Sequence, residues 1–229
     1  MDRLEGASEL LDGPLDDPAA LAANLRDFRR INRFTGGALL SLRAVRSLGG
    51  AATILDVGTG GADIPALLLA DARRRGVALE VTAIDSRQEV LDAAVAVRPG
   101  LARLEGLRFE LADGRALPHP DAAFDIGHSS MVLHHLDADD AVAFLRELRR
   151  VSRLGIVVND LARGRHFWIG AWLITHSIAS SRYPRHDGPL SVRRAWTRDE
   201  MVQLLARAGL TPTATFVGFV GHRYAIAAR

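Results

Sequence analysis

The stretch "ATILDVGTGGADIP", residues 52–65, joins a run of β-forming residues to a glycine-rich loop and then to a helical pattern. Three of the four positions 58–61 are glycine, and Asp56 stands two positions before them. Glycine lets a ligand approach the backbone closely, and the helix that follows offers free N–H groups. The stretch therefore predicts an α/β sheet with a nucleotide-like ligand at the carboxyl end of its first strand.

Strand-like and helical segments alternate downstream of this loop. The predicted strands lie at 52–57, 78–85, 107–111, 124–130 and 155–160, and the predicted helices at 63–75, 87–97 and 139–152. Strands that are continuously apolar and separated by helices indicate a parallel sheet covered on both faces. The last 17 residues, "TATFVGFVGHRYAIAAR", are typical of two strands joined by a tight turn near Gly221, so one strand runs antiparallel.

Three segments flank this alternating core. Residues 1–17 are acidic and are expected to be loosely ordered. Two helices, from Pro18 and over 36–48, complete a predicted N-terminal helical cap at residues 1–50. Residues 161–196 are rich in aromatic residues, histidine and arginine, and a connection of this length predicts a lid insertion over an acceptor. The alternative is an ordinary buried helix.

Composition excludes several kinds of chemistry. The 229 residues include no cysteine, and all 29 basic residues are arginine. Disulfides, thiolate metal sites, a cysteine nucleophile, lysine Schiff bases and the lysine of a phosphate-binding loop are therefore absent. A formal net charge of +2 does not favour a nucleic-acid partner. The N-terminus is acidic, and the longest apolar run has only eight residues, 167–174. These two features predict a cytoplasmic protein without an integral membrane segment. A monomer or homodimer is expected.

Three classes of nucleotide ligand compete for the glycine loop. A phosphate-loop NTPase needs Gly-Lys-Ser/Thr, and the chain has no lysine. A dinucleotide fold needs G-x-G-x-x-G, but here Asp63 occupies the position of the third glycine. A carboxylate there is electrostatically unfavourable for a pyrophosphate, which weakens this interpretation and leaves it open.

The third class fits better. "LDVGTGGADIP" resembles the first motif of class I S-adenosylmethionine-dependent methyltransferases, in which an acidic residue precedes G-x-G. Their cofactor carries a sulfonium and an ammonium group and no phosphate, so nearby carboxylates are favourable. The resemblance implies that Asp56 holds the amino end of the cofactor, directly or through water, and that the Gly58-Thr59-Gly60 loop lies against it. Ala62 departs from the pattern, because many members have a glycine there.

Two further elements resemble the same family. "VTAIDSRQEVLDAA", residues 81–94, implies that Asp85, with Ser86 beside it, binds the ribose hydroxyls; a carboxylate can accept from both. "FELADGRALPHPDAAFDIG", residues 109–127, implies that Asp113, beside Gly114, meets the adenine amino group.

"FDIGHSSMVLHHL", residues 124–136, resembles the family's fourth strand and adds Ser129 to the cofactor residues. The resemblance covers roughly residues 50–160. It implies a three-layer Rossmann-like sandwich with a mostly parallel seven-stranded sheet and a terminal antiparallel hairpin, as a methyltransferase domain over residues 51–229.

His134 and His135 follow the fourth strand at the edge where ligands bind. Methyl transfer is an in-line displacement, so positioning and desolvation supply most of the catalysis. A base is needed only when the acceptor arrives protonated, and histidine is suited to that task. Either histidine is therefore a candidate base, and the alternative is a lining or packing role. Candidate acceptor contacts are Asn159, His166, Trp168 and Trp172, and no metal is predicted.

The resemblance thus implies methyl transfer from S-adenosylmethionine to a small apolar acceptor of polyketide, quinone or isoprenoid type, with S-adenosylhomocysteine as product. An oxygen acceptor is favoured and carbon comes next. Three rivals stay open: a methyltransferase acting on RNA or protein, an NAD(P)-dependent reductase, and a non-catalytic protein that binds the same cofactor. The chain lacks the Asn/Asp-Pro-Pro-aromatic run of nitrogen methyltransferases and the Tyr-x-x-x-Lys pattern of reductases.

Overall fold

A computed structural model describes residues 1–15 and 17–229. Seven strands form one sheet in the order β3-β2-β1-β4-β5-β7-β6. The strands are β1 (Thr53–Val57), β2 (Glu80–Asp85), β3 (Leu107–Leu111), β4 (Phe124–Ser130), β5 (Ser152–Leu161), β6 (Pro212–Val217) and β7 (Arg223–Ala228). Strands β1 to β5 are parallel, and β7 runs antiparallel to both β5 and β6. This confirms the predicted mostly parallel sheet with a terminal antiparallel hairpin.

The helices in the described residues are α1 (Pro18–Thr35), α2 (Gly37–Leu48), α3 (Asp63–Arg74), α4 (Gln88–Val97), α5 (Ala138–Arg150), α6 (Arg165–Ile178), α7 (Arg182–Arg194) and α8 (Arg198–Arg207). Short 3₁₀ turns lie at Leu10–Asp12, Pro99–Arg103 and Leu133–His135. Thr197 and Glu200 form the predicted capping box of α8. None of the helices described is long and apolar enough to cross a bilayer.

The sheet has a helical layer on each face, as the alternation of β1 shows. Ile54 packs among α2 and α3, whereas its neighbour Leu55 packs among α5 and α8, and both side chains are fully buried. Successive strand residues point to opposite faces, so this alternation requires apolar helices on both sides. The three-layer Rossmann-like sandwich is therefore confirmed.

The two N-terminal helices have different partners. Helix α2 packs on strands β5, β6 and β7 and belongs to one layer of the sandwich, while α1 packs against α4. The interpretation of residues 1–50 as a separate cap stays a prediction.

The expectation of loose order at the N-terminus is wrong for the described residues. Arg3 donates from Nε to the Arg194 carbonyl at 2.7 Å, and Leu15 is buried. The Asp187 carboxylate accepts from the backbone amides of Leu10 and Leu11. The acidic segment is ordered because its backbone and side chains pair with groups on the distant helix α7.

Residues 161–196 fold into the two helices α6 and α7, which pack against each other. The Asp27 carboxylate of α1 accepts from the backbone amides of Ser180 and Ser181, both at 2.9 Å, and so holds the connection between them. One side of α6, with Phe167, is partly buried, while its other side faces outward. The lid interpretation of this segment stays a prediction.

Candidate active site

A cavity of about 440 Å³ opens at the carboxyl ends of β1, β2 and β4. This edge of a parallel sheet is where ligands of such folds bind, and the volume suits a small-molecule site. Ten residues singled out from the sequence line it: Asp56, Gly58, Thr59, Gly60, Asp85, Ser86, Asp113, Gly114, His134 and His135.

The glycine loop turns sharply over the end of β2. The amides of Gly58 and Thr59 both donate to the Ile84 carbonyl, at 3.0 and 2.9 Å. Gly58 has a φ of +74°, and a Cβ there would lie 2.4 Å from Cγ2 of Val132. A side chain at this position therefore cannot fit without movement of Val132.

Two features of the loop indicate a ligand. The Thr59 hydroxyl is buried among the cavity-lining residues and has no hydrogen-bond partner among the residues that the structure describes. A Cβ at Gly60 would meet no atom within 4 Å, so the space beside that residue is open. Buried hydroxyls are almost always hydrogen-bonded, so a bound group is expected to complete the Thr59 contact.

Asp85 ends β2 beside this loop. Its carboxylate accepts from the amides of Gly60, at 3.1 Å, and Arg87, at 3.2 Å. Burial raises the pKa of Asp85, and these two amides oppose the shift. A carboxylate has about four lone-pair positions, so two remain for a pair of ribose hydroxyls.

Asp56 is buried in a polar chain behind the loop. Nδ1 of His128 lies 2.5 Å from Oδ1 of Asp56, and Nε2 of His128 lies 2.8 Å from the Ser41 hydroxyl. Ser41 also accepts from the Asn159 amide at 2.7 Å. The chain fixes the Asp56 carboxylate at the cavity wall, where it can face a cationic group.

Asp113 lies at the rim of the cavity and is about half exposed. The Arg115 guanidinium binds its carboxylate through Nε and Nη2, the latter at 2.8 Å, and the Arg115 amide donates to it as well. The Arg115 side chain lowers the pKa of Asp113. A role of Asp113 in adenine recognition stays a prediction, and the adenine amino group would have to share the Asp113 carboxylate with Arg115.

These residues fit S-adenosylmethionine. The cavity offers carboxylates that hydrogen bonds hold in place, the Thr59 hydroxyl without a described partner, and a glycine loop without side-chain bulk. A nucleoside that carries positive charge needs groups of these kinds. Asp56 and Thr59 would hold the amino acid end, and Asp85 the ribose. Gly58 and Gly60 would let the cofactor lie against the backbone.

His134 forms a buried pair with Asp160. Its Nδ1 lies 2.7 Å from Oδ1 of Asp160, and its backbone amide donates to Oδ2 at 3.1 Å. Burial alone would raise the pKa of Asp160, but the His134 imidazole, the Leu161 amide and the Arg223 guanidinium together outweigh this and lower it. With Nδ1–H donated to the carboxylate, the lone pair lies on Nε2, among the residues of the cavity wall.

Glu9 faces that lone pair from the N-terminal segment. Its Oε1 lies 3.8 Å from Nε2 of His134 and 3.3 Å from Nη1 of Arg194. Burial raises the pKa of Glu9 to about 7, although His135 and Arg194 oppose the shift. The carboxyl group therefore changes charge near neutral pH, beside the candidate base.

His135 lies against His134, with ring centroids 4.2 Å apart. Its Nδ1 lies 3.0 Å from Oδ1 of Asp12, and its Nε2 lies 3.9 Å from Glu9. Glu9, His134 and His135 are thus close enough to share a metal ion. The positively charged Arg194 guanidinium already lies beside the Glu9 carboxyl group, and it disfavours a second cation there. The absence of a metal therefore stays our prediction.

Five residues proposed from the sequence lie outside the cavity wall. Ser129 points away and donates to the Val57 carbonyl at 3.0 Å, while its neighbour Ser130 lines the cavity. Asn159 is buried, and its Nδ2 donates to the Gly37 carbonyl and the Ser41 hydroxyl while its Oδ1 accepts from Arg223. Its side chain is therefore engaged away from a methyl acceptor. The remaining three, His166, Trp168 and Trp172, are exposed on α6.

The N-terminal segment and α1 supply a further part of the cavity wall. The apolar side chains that they contribute are Leu11, Leu15, Leu21, Leu25 and Phe28. Met131, directly after β4, also lines the cavity and has a φ of +63°, a left-handed conformation uncommon for such a side chain. Sequence reasoning missed these residues, although the helical spacing of Leu21, Leu25 and Phe28 could have marked an inner face.

The raised pKa of Glu9 predicts how stability depends on pH. The folded protein holds this proton up to about pH 7, whereas the unfolded chain loses it near the ordinary glutamate pKa of 4.5. Ionisation of Glu9 therefore lowers the free energy of unfolding as pH rises between these values. For Glu9→Gln this loss is absent, so the variant should gain on the order of 2–3 kcal/mol relative to wild type between pH 5 and pH 8.

Urea denaturation of both proteins at several pH values measures this difference. Glu5→Gln is the matched control, because the Glu5 side chain is 82% exposed. Parallel pH curves for wild type and Glu9→Gln would contradict the assignment.

Residues 54–155 match a protein-family model described as a methyltransferase domain. The ubiquinone/menaquinone biosynthesis C-methyltransferase UbiE of Rickettsia akari is 38% identical over 72 residues, which are 31% of this chain and 29% of that protein. The match therefore spans less than a third of that relative.

Among solved structures, a SAM-dependent methyltransferase from Aquifex aeolicus has a TM-score of 0.64 at 19% identity, covering 93% of this chain and 97% of that one. The mitomycin 7-O-methyltransferase MmcR has a TM-score of 0.68 at 19% identity, covering 93% of this chain and 58% of that one. At these identities the two structures bear on the fold.

Proposed function

We propose that this chain is a class I S-adenosylmethionine-dependent methyltransferase that methylates a small, rather apolar acceptor, and the match of residues 54–155 to a methyltransferase-domain model supports this proposal. One observation carries the proposal: a single cavity joins the glycine loop and Asp85 to the His134–Asp160 pair. The cofactor supplies an electrophilic methyl group on sulfur, and S-adenosylhomocysteine is the expected second product.

The apolar wall supports the choice of acceptor. Leucine and phenylalanine side chains from the N-terminal segment and α1 line the same cavity as Glu9 and the two histidines. Such a wall favours an apolar ring or chain and excludes water from the reacting atoms. Excluded water also strengthens each polar contact at the reaction centre.

His134 is the proposed general base. Asp160 orients the ring and holds its Nδ1 proton, so Nε2 can take a proton from an acceptor hydroxyl as the methyl group is transferred. Glu9, when ionised, and Asp160 then stabilise the imidazolium from opposite ends of the ring. His135 is the second candidate for this role.

An oxygen acceptor remains the first proposal, because the base lies in the cavity wall where a hydroxyl would lose its proton. Carbon is the second candidate, supported by the printed name of the Rickettsia relative, a C-methyltransferase. Loss of a neighbouring hydroxyl proton would also activate a ring carbon, so His134 serves both. The methyl signal in the NMR spectrum of the product distinguishes the two.

Isothermal titration and a methyl-transfer assay test the proposal. We expect binding of S-adenosylmethionine and S-adenosylhomocysteine but not of NADH, whose pyrophosphate would meet the carboxylates of Asp56, Asp63 and Asp85. Labelled S-adenosylmethionine with a panel of phenols and hydroxyquinones should then give methylated products. Preferential binding of NADH would favour the reductase, and cofactor binding without transfer to any acceptor would favour a binding protein.

A further inference from the structure

Helix α6 carries an apolar surface that residues 1–15 and 17–229 leave uncovered. Trp168, Ile169, Trp172 and Leu173 recur at spacings of three and four, which places them on one side of the helix. Their exposed fractions are 37%, 52%, 45% and 52%. The opposite side packs inward through Phe167, so α6 is apolar on both sides. Such a helix normally has apolar surroundings on both sides.

The turn between β6 and β7 adds to this surface. Phe219 is fully exposed and Val220 is 62% exposed. A Cβ on Gly221 would lie 3.3 Å from Cζ of Phe167, so the turn lies beside the start of α6, next to the side of this helix that packs inward. We call Trp168, Ile169, Trp172 and Leu173, together with the exposed turn residues Phe219 and Val220 at the start of the same helix, the outer apolar face. Single exposed apolar residues are ordinary, but a cluster of this kind marks an interaction surface.

The charged residues of the two segments that carry the outer apolar face are all arginines. Arg165 is exposed three positions before Trp168 on the same side of α6, and Arg182 is exposed just beyond the end of this helix. Segments 161–186 and 211–229 contain no aspartate or glutamate. Asp199, which shares a groove with Phe167 and Gly221, lies 3.7 Å from Arg198.

We propose that the outer apolar face docks on an anionic lipid surface. Tryptophan is favoured at the boundary between lipid headgroups and acyl chains, and aliphatic side chains partition below it. Arginines at the same level are attracted to negative headgroups. A second copy fits less well, because the segments that carry this face would bring only arginines into the shared interface and no aspartate or glutamate to pair with them.

The outer apolar face is connected to the proposed active site through α1. Helix α6 packs against α1, and α1 supplies Leu21, Leu25 and Phe28 to the cavity wall. Docking would therefore place the acceptor side of the protein near the lipid. The proposal does not depend on the chemical identity of the acceptor.

Vesicle flotation of the full chain tests the proposal. We expect wild type to float with phosphatidylcholine vesicles containing about 30% phosphatidylglycerol, less with pure phosphatidylcholine, and less again at about 500 mM salt. The double change Trp172→Ser with Phe219→Ser should lower partitioning about tenfold or more. Arg165→Gln should weaken binding only to the anionic vesicles.

Val77→Ser is the matched control, since Val77 is 44% exposed outside the outer apolar face. S-adenosylmethionine titration of every variant separates this proposal from the proposed function, because none of the changed residues lines the cavity. Wild type that floats with neither vesicle, or serine variants that float as well as wild type, would overturn the proposal. A dimer in solution that the serine variants dissociate would assign the face to a second copy.

Discussion

His134→Gln should lower kcat by about 10²- to 10⁴-fold with a hydroxyl acceptor, while the affinity for S-adenosylmethionine stays within about threefold. Glutamine keeps a polar side chain beside Asp160 but has no lone pair that can accept a proton from a phenol. The loss reports the general-base step, because the residues proposed for the cofactor are unchanged.

Asp160→Asn provides a graded test of the same pair. It removes the negative charge of the carboxylate whose Oδ1 lies 2.7 Å from Nδ1 of His134 and holds the Nδ1 proton. The side-chain volume stays almost unchanged. We expect an intermediate loss of kcat, of about 10- to 100-fold, because the imidazole is less well oriented and its cation less stabilised. Single-turnover rates with a phenolic acceptor measure both effects.

His176→Gln is the matched control, since His176 is exposed on α6 and stacks on Trp172. A loss of rate in His135→Gln in place of His134→Gln would transfer the role to the second histidine. Full activity in both variants would mean that the acceptor reaches the cofactor already deprotonated. Dialysis against a chelator checks the cluster of Glu9 and the two histidines, since restoration by a divalent metal would contradict the prediction of no metal.

Asp85→Ala should weaken binding of S-adenosylmethionine by about 100-fold, or about 3 kcal/mol. The carboxylate is proposed to accept from both ribose hydroxyls, and charge-assisted hydrogen bonds of this kind are the stronger ones. It also accepts from the Gly60 amide, so the change removes support from the glycine loop. Both losses act in the same direction.

Isothermal titration measures the loss for Asp85→Ala. Asp92→Ala is the control, because Asp92 is exposed on α4 and bonded only to Gln88 among the described contacts. Asp85→Asn separates the two effects, since its oxygen can still accept from Gly60. A dissociation constant for Asp85→Ala within about threefold of wild type would contradict the ribose assignment.

The meeting of the loop glycines, Asp56 and Asp85 in one cavity could be predicted because the geometry of this edge is local, and their roles toward the cofactor stay predictions. Asp56 and Asp85 each end a strand of a parallel sheet, so their place at one edge follows from the topology. The loop glycines could be assigned for the same reason. Ser129 failed by a single position, because neighbouring residues on a strand face opposite sides and Ser130 faces the cavity.

The part of the cavity wall that the N-terminal segment and α1 supply, where the acceptor is proposed to bind, could not be predicted because it depends on long-range contacts. Arg194 binds Glu9 across 185 positions, and no local pattern in an acidic N-terminal segment indicates such a partner. The long segment was misleading for another reason. Helix α6 is apolar on both sides, so periodicity alone could not show that Trp168 and Trp172 face away from the cavity.

The three tryptophans of the chain occupy two different environments. Trp196 is buried, donates to the Leu133 carbonyl at 2.9 Å and carries the Arg3 guanidinium 3.7 Å from its ring centre. It therefore contacts both the N-terminal segment and the turn that bears His134. In a chain with Trp168 and Trp172 changed to phenylalanine, tryptophan fluorescence becomes an optical signal of Trp196 alone, so movement of the N-terminal segment or of the turn that bears His134 can be timed without a label.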